Sequence, residues 1–423
     1  STRETLDGKP ASDWAAKALA ELETMAEVTL LPRATVNGYH DHNFLTIHQR
    51  LTDHLGEVAP MGQVRQRMHR VRAKRVVLAT GAHERPLVYA NNDVPGNMLA
   101  DAVSTYVRRY GVAPGRQLVL STTNDYAYRV VLDWLDAGQQ VVAVADARSN
   151  PRGAWVEEAR KRGVRILTGS AVVEARGSKR VNAARICAID LKNHKVVSPG
   201  EVLDCDLIVS SGGYSPVVHL ASHLGGRPTW REDILAFVPG EGFQKRLCAG
   251  AVNGVFALGD VLADGFEAGA NAAAEAGFKA SSGSLPQTEA RFEEPAVALF
   301  QVPHDKSTAR APKQFVDLQN DVTAAGIEQA TREGFESVEH VKRYTALGFG
   351  TDQGKLGNIN GLAIAARSLG VSIPEMGTTM FRPNYTPVTF GALAGRHCGA
   401  LFEPKRYTAM QSWHLQNGAE FED

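Results

Sequence analysis

Two short fragments constrain this chain more than anything else in it: Ala79-Thr80-Gly81-Ala82-His83-Glu84-Arg85-Pro86, and Gly254-Val255-Phe256-Ala257-Leu258-Gly259-Asp260. Each follows a short apolar run that reads as a buried strand, Val76 to Ala79 and Val255 to Leu258. Each ends in residues that suit a strand end facing a ligand. A glycine there lets backbone come close, and an aspartate can accept a hydrogen bond from a ribose or ribityl hydroxyl. A helix starting near Gly265 would present free N–H groups to a pyrophosphate. Gly269, Ala272, Ala273 and Gly277 would keep that helix slim against a sheet. Either fragment alone is ordinary turn chemistry; the pair points to a nucleotide site. No G-x-G-x-x-G precedes Ala79 and residue 1 is Ser, so the sequence reads as an interior piece of a larger subunit.

A second unit is legible from Leu118. A strand from Leu118 to Ser121, a helix from Tyr126 to Ala137, a turn at Gly138 and a strand from Gln140 to Ala145 form a βαβ unit ending at Asp146. A helix over Trp155 to Arg162 and β-rich sequence to Ile189 follow. The three glycine positions of a dinucleotide loop fall here on Ser121, Thr123 and Tyr126. Thr123 would crowd a pyrophosphate and Tyr126 would hold the helix off the strand, so this unit reads as a nucleotide fold that has lost its nucleotide. Upstream, Asp13 to Met25 has helical spacing, and Val28 to Leu31, Phe44 to His48 and Met68 to Val71 read as strands.

The expected layout is α/β, with one domain interrupted by another. Residues 1–110 and 206–280 form a first dinucleotide-binding domain without its glycine-rich loop, and 111–205 form the insert. Residues 281–312, rich in Ser, Pro and charge, read as a linker. A helical domain spans 313–372, with Thr323, Ser337 and Asn358 or Asn360 as helix starts, and 373–423 are a connector.

Composition excludes several classes. The 46 basic and 46 acidic side chains cancel, leaving no electrostatic footprint for nucleic acid or an anionic membrane. No apolar run approaches the ~20 residues of a membrane span. Cys187, Cys205, Cys248 and Cys398 are far apart and read as reduced thiols of a cytoplasmic protein. His40 and His42 alternate as strand neighbours would, but no third metal ligand is near. The basic run from Arg65 to Arg75 reads as the wet face of a strand pair, with an acidic partner as the alternative. No catalytic residue stands out.

Read together, ATGAHERP (79–86), NNDVPGNMLADAV (91–103), GVAPGRQLVL (111–120) and SGGYSPVVHL (211–220) resemble the α subunits of bacterial heterotetrameric sarcosine oxidases. FVDLQNDVT (315–323), EHVKRY (339–344) and GFGTDQGK (348–355) carry the same likeness, and WHLQNGAEFE (413–422) resembles the opening of that family's folate-binding domain. The resemblance implies a two-dinucleotide-binding-domain flavoprotein fold of the disulfide-reductase kind, followed by a BFD-like helical domain. Relatives that hold a [2Fe-2S] cluster have C-x-C before the first helix of that domain and C-x(4)-C after the second. Here those positions are Asp317, Gln319, Asp352 and Gly357, so no iron–sulfur cluster is expected.

By the same resemblance, the complex oxidises sarcosine to glycine, releases hydrogen peroxide and traps the one-carbon unit on tetrahydrofolate. NAD belongs to this subunit at Thr80, Gly81, Ala82, Gly259 and Asp260. FAD lies on the β subunit and FMN at the α/β interface, with γ and δ subunits completing the assembly. Lys342, Arg343 and Arg382 are read as solvated surface, with a flavin phosphate as the alternative. The alternatives to the sarcosine oxidase reading are a large subunit of an opine, proline or hydroxyproline dehydrogenase complex, a free-standing NAD(P)H-using flavin reductase, and a non-catalytic scaffold.

Overall fold

A computed structural model describes residues 3–242, 244–279, 283–289, 291–396, 399 and 405–421; Cys398 and residue 422 lie outside them. Its centre is a five-stranded parallel sheet in the order Ile166–Thr168, Gln140–Asp146, Gln117–Thr122, Leu207–Ser211, Asn97–Leu99. Both faces of this sheet are buried, and the alternation of side chains along each strand sorts them into two cores. Leu118, Leu120, Val144, Leu207 and Val209 meet the helices Ala100–Tyr110, Tyr128–Asp136 and Ala154–Lys161. Val119, Ala143, Ala145 and Ile208 face the other way, onto an antiparallel sheet built around Ser170–Gly177 and Val181–Asp190. The sheet recruits Asn97–Leu99 and Leu207–Ser211, so it extends beyond the 111–205 span expected for the insert.

The flanking part of the chain has a smaller sheet. Val76–Leu78 pairs in parallel with Arg246–Cys248, so the chain returns beside its starting point after the long excursion between them. The expected strand at Val255 to Leu258 does not form. Ala257 is extended, and a helix runs without a break from Leu258 to Glu275. Its Ala-rich sequence favours helix from the first turn, so Gly259 and Asp260 lie inside that turn, not at a strand end. Val28 to Leu31 is not a strand either: pairing begins at Ala34, beyond Pro32, which has no N–H to donate. Ala34–His40, Phe44–Arg50 and Gln66–Arg72 make a three-stranded antiparallel sheet, with Arg67, Arg70 and Arg72 exposed on its edge strand. His42 lies in the turn at φ 60°, off the strand that carries His40.

Among its described residues, the segment expected to be a linker forms neither helix nor long strand, yet part of it is packed. Leu299 and Val302 are buried in the core under the antiparallel sheet, and Gln301 forms a parallel bridge with Val88. Beyond it, Phe315–Asp317 and Val322–Thr323 form a small hairpin ahead of the helices Ala324–Arg332, Val338–Thr345 and Asn358–Leu369. Thr323 caps the first of these, its hydroxyl accepting from Gly326 N at 3.2 Å. Val88 and Phe237 enter the core of this helical part, tying it to the rest. Among the described residues no helix is long and apolar enough to cross a membrane.

Candidate functional site

A cavity of about 220 Å³ opens at the N-terminus of the helix Leu258–Glu275, lined by Glu4, Gly259, Asp260, Thr288, Arg291 and Glu293 among others. Ala257 has no side-chain acceptor, so no cap covers the first-turn N–H groups, and the helix dipole adds partial positive charge there. Asp260 is exposed and, among the described residues, has no hydrogen-bond or ion-pair partner. Arg291 is the cation on the wall, but it is already engaged. It stacks 4.1 Å over the Trp155 ring and donates to the Arg3 carbonyl at 2.9 Å. The wall is therefore rich in carboxylate acceptors, which suits a hydroxyl-bearing ligand, while the helix end suits an anionic group. Gly259 packs close to Thr288: a Cβ there would come within 2.6 Å of Thr288 Oγ1, so that hydroxyl would have to shift. Thr288 sits in the Ser- and Pro-rich stretch, where no periodicity in the sequence could reveal the contact.

Thr80, Gly81 and Ala82 do not line that cavity. Thr80 Oγ1 donates to Val217 O at 2.9 Å, and Gly81 O accepts from Val217 N at 2.9 Å. Ala82–Glu84 then pairs with Tyr214–Pro216. Gly81 has φ +75°, and the space a Cβ would enter is open, so its glycine serves the turn. These residues fasten the end of the Val76–Leu78 strand to the chain returning from the central sheet.

Two residues of the same fragment hold the junction more firmly. Arg85, 2% exposed, donates to Gly212 O at 2.7 Å and to Leu235 O at 3.0 Å, and burial lowers its pKa to about 10. Glu84 accepts from Asp101 N at 2.8 Å, and Ser211 is its side-chain hydrogen-bonding neighbour. Burial, reinforced by the nearby Asp101, pushes its pKa up to about 8. Tyr214 donates to Asp101 at 2.9 Å, and its ring packs with Tyr126 and Phe256 at centroid distances of 5.9 and 5.7 Å. Tyr126 thus turns toward the first fold.

In the second unit, the strand end at Thr122 is covered by the chain's own residues. Val297 N donates to Thr123 O at 3.2 Å, Glu294 N to Asp125 Oδ2 at 2.7 Å, and Ala154 N to Phe292 O at 3.0 Å, so residues 292–297 run past the end of the strand Gln117–Thr122 and the start of the helix Ala154–Lys161. Asp146, where a ribose-binding acid would stand, is fully buried and accepts from Tyr128 Oη at 2.8 Å. It also pairs with Arg148 at 2.8 Å, and the same guanidinium reaches Asp125 at 2.7 Å.

In the helical part, Asp317 is buried, and its carboxylate accepts from Gln319 N, Asn320 N, Asn320 Nδ2 and Gly348 N at 2.8 to 3.2 Å. Gly357 packs so tightly that a Cβ would lie 2.5 Å from Val316 O. Lys342 is half-buried, and its ammonium pKa is lowered by burial, with Arg382 and Arg343 adding to the effect and Glu339 opposing it. Arg343 is exposed and pairs with Glu339 at 3.7 Å. Among the described residues no group of His, Cys, Asp and Glu side chains could hold a metal ion, and Cys187, Cys205 and Cys248 are free thiols.

Residues 17–276 match the family described as Pyridine nucleotide-disulphide oxidoreductase, and residues 311–396 match the Sarcosine oxidase A3 domain. The sarcosine oxidase subunit alpha of Corynebacterium sp. (strain P-1) is 42% identical over 99% of this chain and 43% of its own length. The same subunit of Rhizobium meliloti (strain 1021) is 38% identical over 99% of this chain and 40% of its own length. The chain thus spans less than half the length of these relatives. Among solved structures, the L-proline dehydrogenase of P. horikoshii superposes with a TM-score of 0.67 at 17% identity, covering 92% of this chain and 70% of that one.

Proposed function

The chain belongs to the pyridine nucleotide-disulphide oxidoreductase family, and we propose that it is the nucleotide-carrying, subunit-binding part of the α subunit of a heterotetrameric sarcosine oxidase. The observation that carries this reading is the 42% identity to such a subunit across 99% of the chain. In this reading the whole complex demethylates sarcosine to glycine, with hydrogen peroxide and methylenetetrahydrofolate as the other products. The amine is oxidised on a partner subunit.

NAD is assigned to the first nucleotide fold. The uncapped helix end at Leu258 would face its anionic part, and Asp260 would accept a ribose hydroxyl. Thr80, Gly81 and Ala82 keep a supporting role, holding the strand end that the site is built on. When bound, the dinucleotide supplies a hydride-accepting ring; this chain's residues orient it and keep the second crevice closed. The insert holds no nucleotide in this reading, since Arg148 and residues 292–297 occupy its crevice. Lys342, Arg343 and Arg382 keep their reading as solvated surface, with the phosphate of FMN as the alternative; Arg343 is exposed and already pairs with Glu339 at 3.7 Å. The helical part is assigned no iron–sulfur cluster: Asp317 is saturated with hydrogen bonds, and a Cys at 357 would clash with Val316 O.

The test is peroxide release from sarcosine, measured with this polypeptide alone in the presence of FAD, FMN and NAD, and then with the full-length chain and its partners. Activity is expected only in the second case. Turnover by the 423-residue chain alone would place a catalytic centre inside it and sink the subunit reading.

A further inference from the structure

A cavity of about 180 Å³ lies where the outer strand Asn97–Leu99 of the parallel sheet meets the helical domain. Leu87, Met98 and Leu99 wall it from the sheet side, and Phe315, Val316 and Leu356 from the helical side. Asp317, Gln319, Asp352 and Gly357, the positions that carry cysteines in cluster-holding relatives, all line it as well. The walls are mostly apolar, with the Asp317 and Asp352 carboxylates among them.

The polar groups deep in the wall are already engaged within the protein. Asn92 donates to Phe315 O and accepts from Phe315 N, each at 2.8 Å. Tyr89 Oη donates to Asn97 Oδ1 at 2.7 Å, and Asn97 Nδ2 donates to Val94 O at 2.6 Å. The Asp317 carboxylate accepts the four hydrogen bonds described above. Free polar capacity is left at the mouth, where Gln319 is exposed and Asp352 half-buried beside Leu318 and Leu356, which are 59% and 40% exposed. A water molecule needs two to four polar partners to be held, and an apolar cavity of roughly 150 Å³ in a protein interior stays dry and takes up benzene. An anionic ligand would lose its hydration and meet the Asp317 and Asp352 carboxylates instead.

We propose that this cavity is a binding site for a small uncharged molecule of single-ring size, its apolar body against Leu87, Met98 and Val316 and any polar substituent directed outward to Gln319 and Asp352. The site is separate from the nucleotide cavity, and the inference does not depend on the activity of the complex. A ligand there touches both the parallel sheet and the helical domain, so binding stiffens the junction between them.

Fluorobenzene titrated into the full-length chain within its complex, followed by ¹⁹F NMR, tests this. Benzoate serves as the charged probe of the same ring size. Leu318→Trp narrows the exposed mouth with little risk to folding, and Met98→Trp fills the inner wall. Saturable fluorobenzene binding is expected in the parent, at least tenfold weaker in either variant that keeps its circular dichroism spectrum, with benzoate excluded. Should Met98→Trp fail to fold, Leu318→Trp decides alone. No saturable binding, unchanged affinity in every folded variant, or benzoate binding as tightly as fluorobenzene would overturn the assignment.

Discussion

Replacing Arg148 by Met removes the cation that holds two buried carboxylates together. The guanidinium pairs with Asp125 at 2.7 Å and Asp146 at 2.8 Å, and the three side chains are 6%, 1% and 0% exposed. Breaking a buried pair by deleting one partner costs about 3–5 kcal/mol, because the remaining charge is left uncompensated. Two stranded carboxylates argue for the upper part of that range. Protonation limits the loss, however. Burial already raises the Asp125 pKa despite the attraction of Arg148, so without Arg148 the native state takes up a proton that the unfolded chain does not bind. A native state that binds more protons loses stability as pH rises. The deficit should therefore be larger at pH 8 than at pH 5, and Asp125→Asn combined with Asp146→Asn in the Arg148→Met background should recover at least half of it.

The assay is native-state hydrogen exchange of the strand Gln117–Thr122 in the full-length subunit, which reports the local opening energy without requiring a two-state multidomain protein. Nucleotide released on denaturation is measured in parallel. A loss below about 1 kcal/mol would show that the network is not the buried ion cluster described. A fall in bound nucleotide in a variant that remains folded would show that the insert, not the first fold, holds it.

Asp260→Ala should weaken NAD retention in the full-length complex by roughly tenfold to a hundredfold, the equivalent of one hydrogen bond to a charged group at about 1.5–3 kcal/mol; Asp146→Ala should leave binding unchanged in a titration, and the reverse order would move the site. Iron and acid-labile sulfide assayed on anaerobically purified complex should show nothing assignable to residues 313–372, and stoichiometric iron there would refute the reading of Asp317 and Gly357. Glu84 has a pKa raised from 4.5 to about 8, so the native state keeps a proton that the unfolded chain releases, and its contribution to stability should decline as pH rises across that window. Glu84→Gln should flatten this part of the stability profile; an unchanged slope in denaturation at pH 5 to 8 would remove Glu84 as its source.

What was legible in the sequence was what local periodicity encodes. The strand at Leu118, the helix beyond Tyr126 and the strand ending at Asp146 form close to where apolar runs and Gly138 place them, because each is specified by its own burial pattern. Val255 to Leu258 failed for the complementary reason: four apolar residues fit a strand and a helix start equally, and the Ala-rich sequence downstream decides. Of the candidate site residues, Gly259 and Asp260 line a cavity at a helix end, whereas Thr80, Gly81 and Ala82 do not line it and Thr80 is tied to Val217. The contacts of Thr288 with Gly259 and of residues 292–297 with the insert join parts of the chain far apart in sequence, through a segment whose composition carries no period.

The two aspartates, alike in the sequence, stand in opposite surroundings in the fold. Asp146 and Asp260 both read, in the sequence, as acids just beyond an apolar strand. In the folded chain Asp146 has become an internal counter-charge, hydrogen-bonded by Tyr128 and Arg148 with no exposure to solvent. Asp260 remains exposed beside a cavity, without a partner among the described residues. A buried carboxylate is tolerated only when paired, and here the partners come from the chain itself: Arg148, two residues after Asp146, and Glu294 N, which donates to Asp125. Those bonds oppose binding of a nucleotide at this strand end, since a ribose would have to displace a charge pair that is worth more in a dry interior than the hydroxyl contacts replacing it.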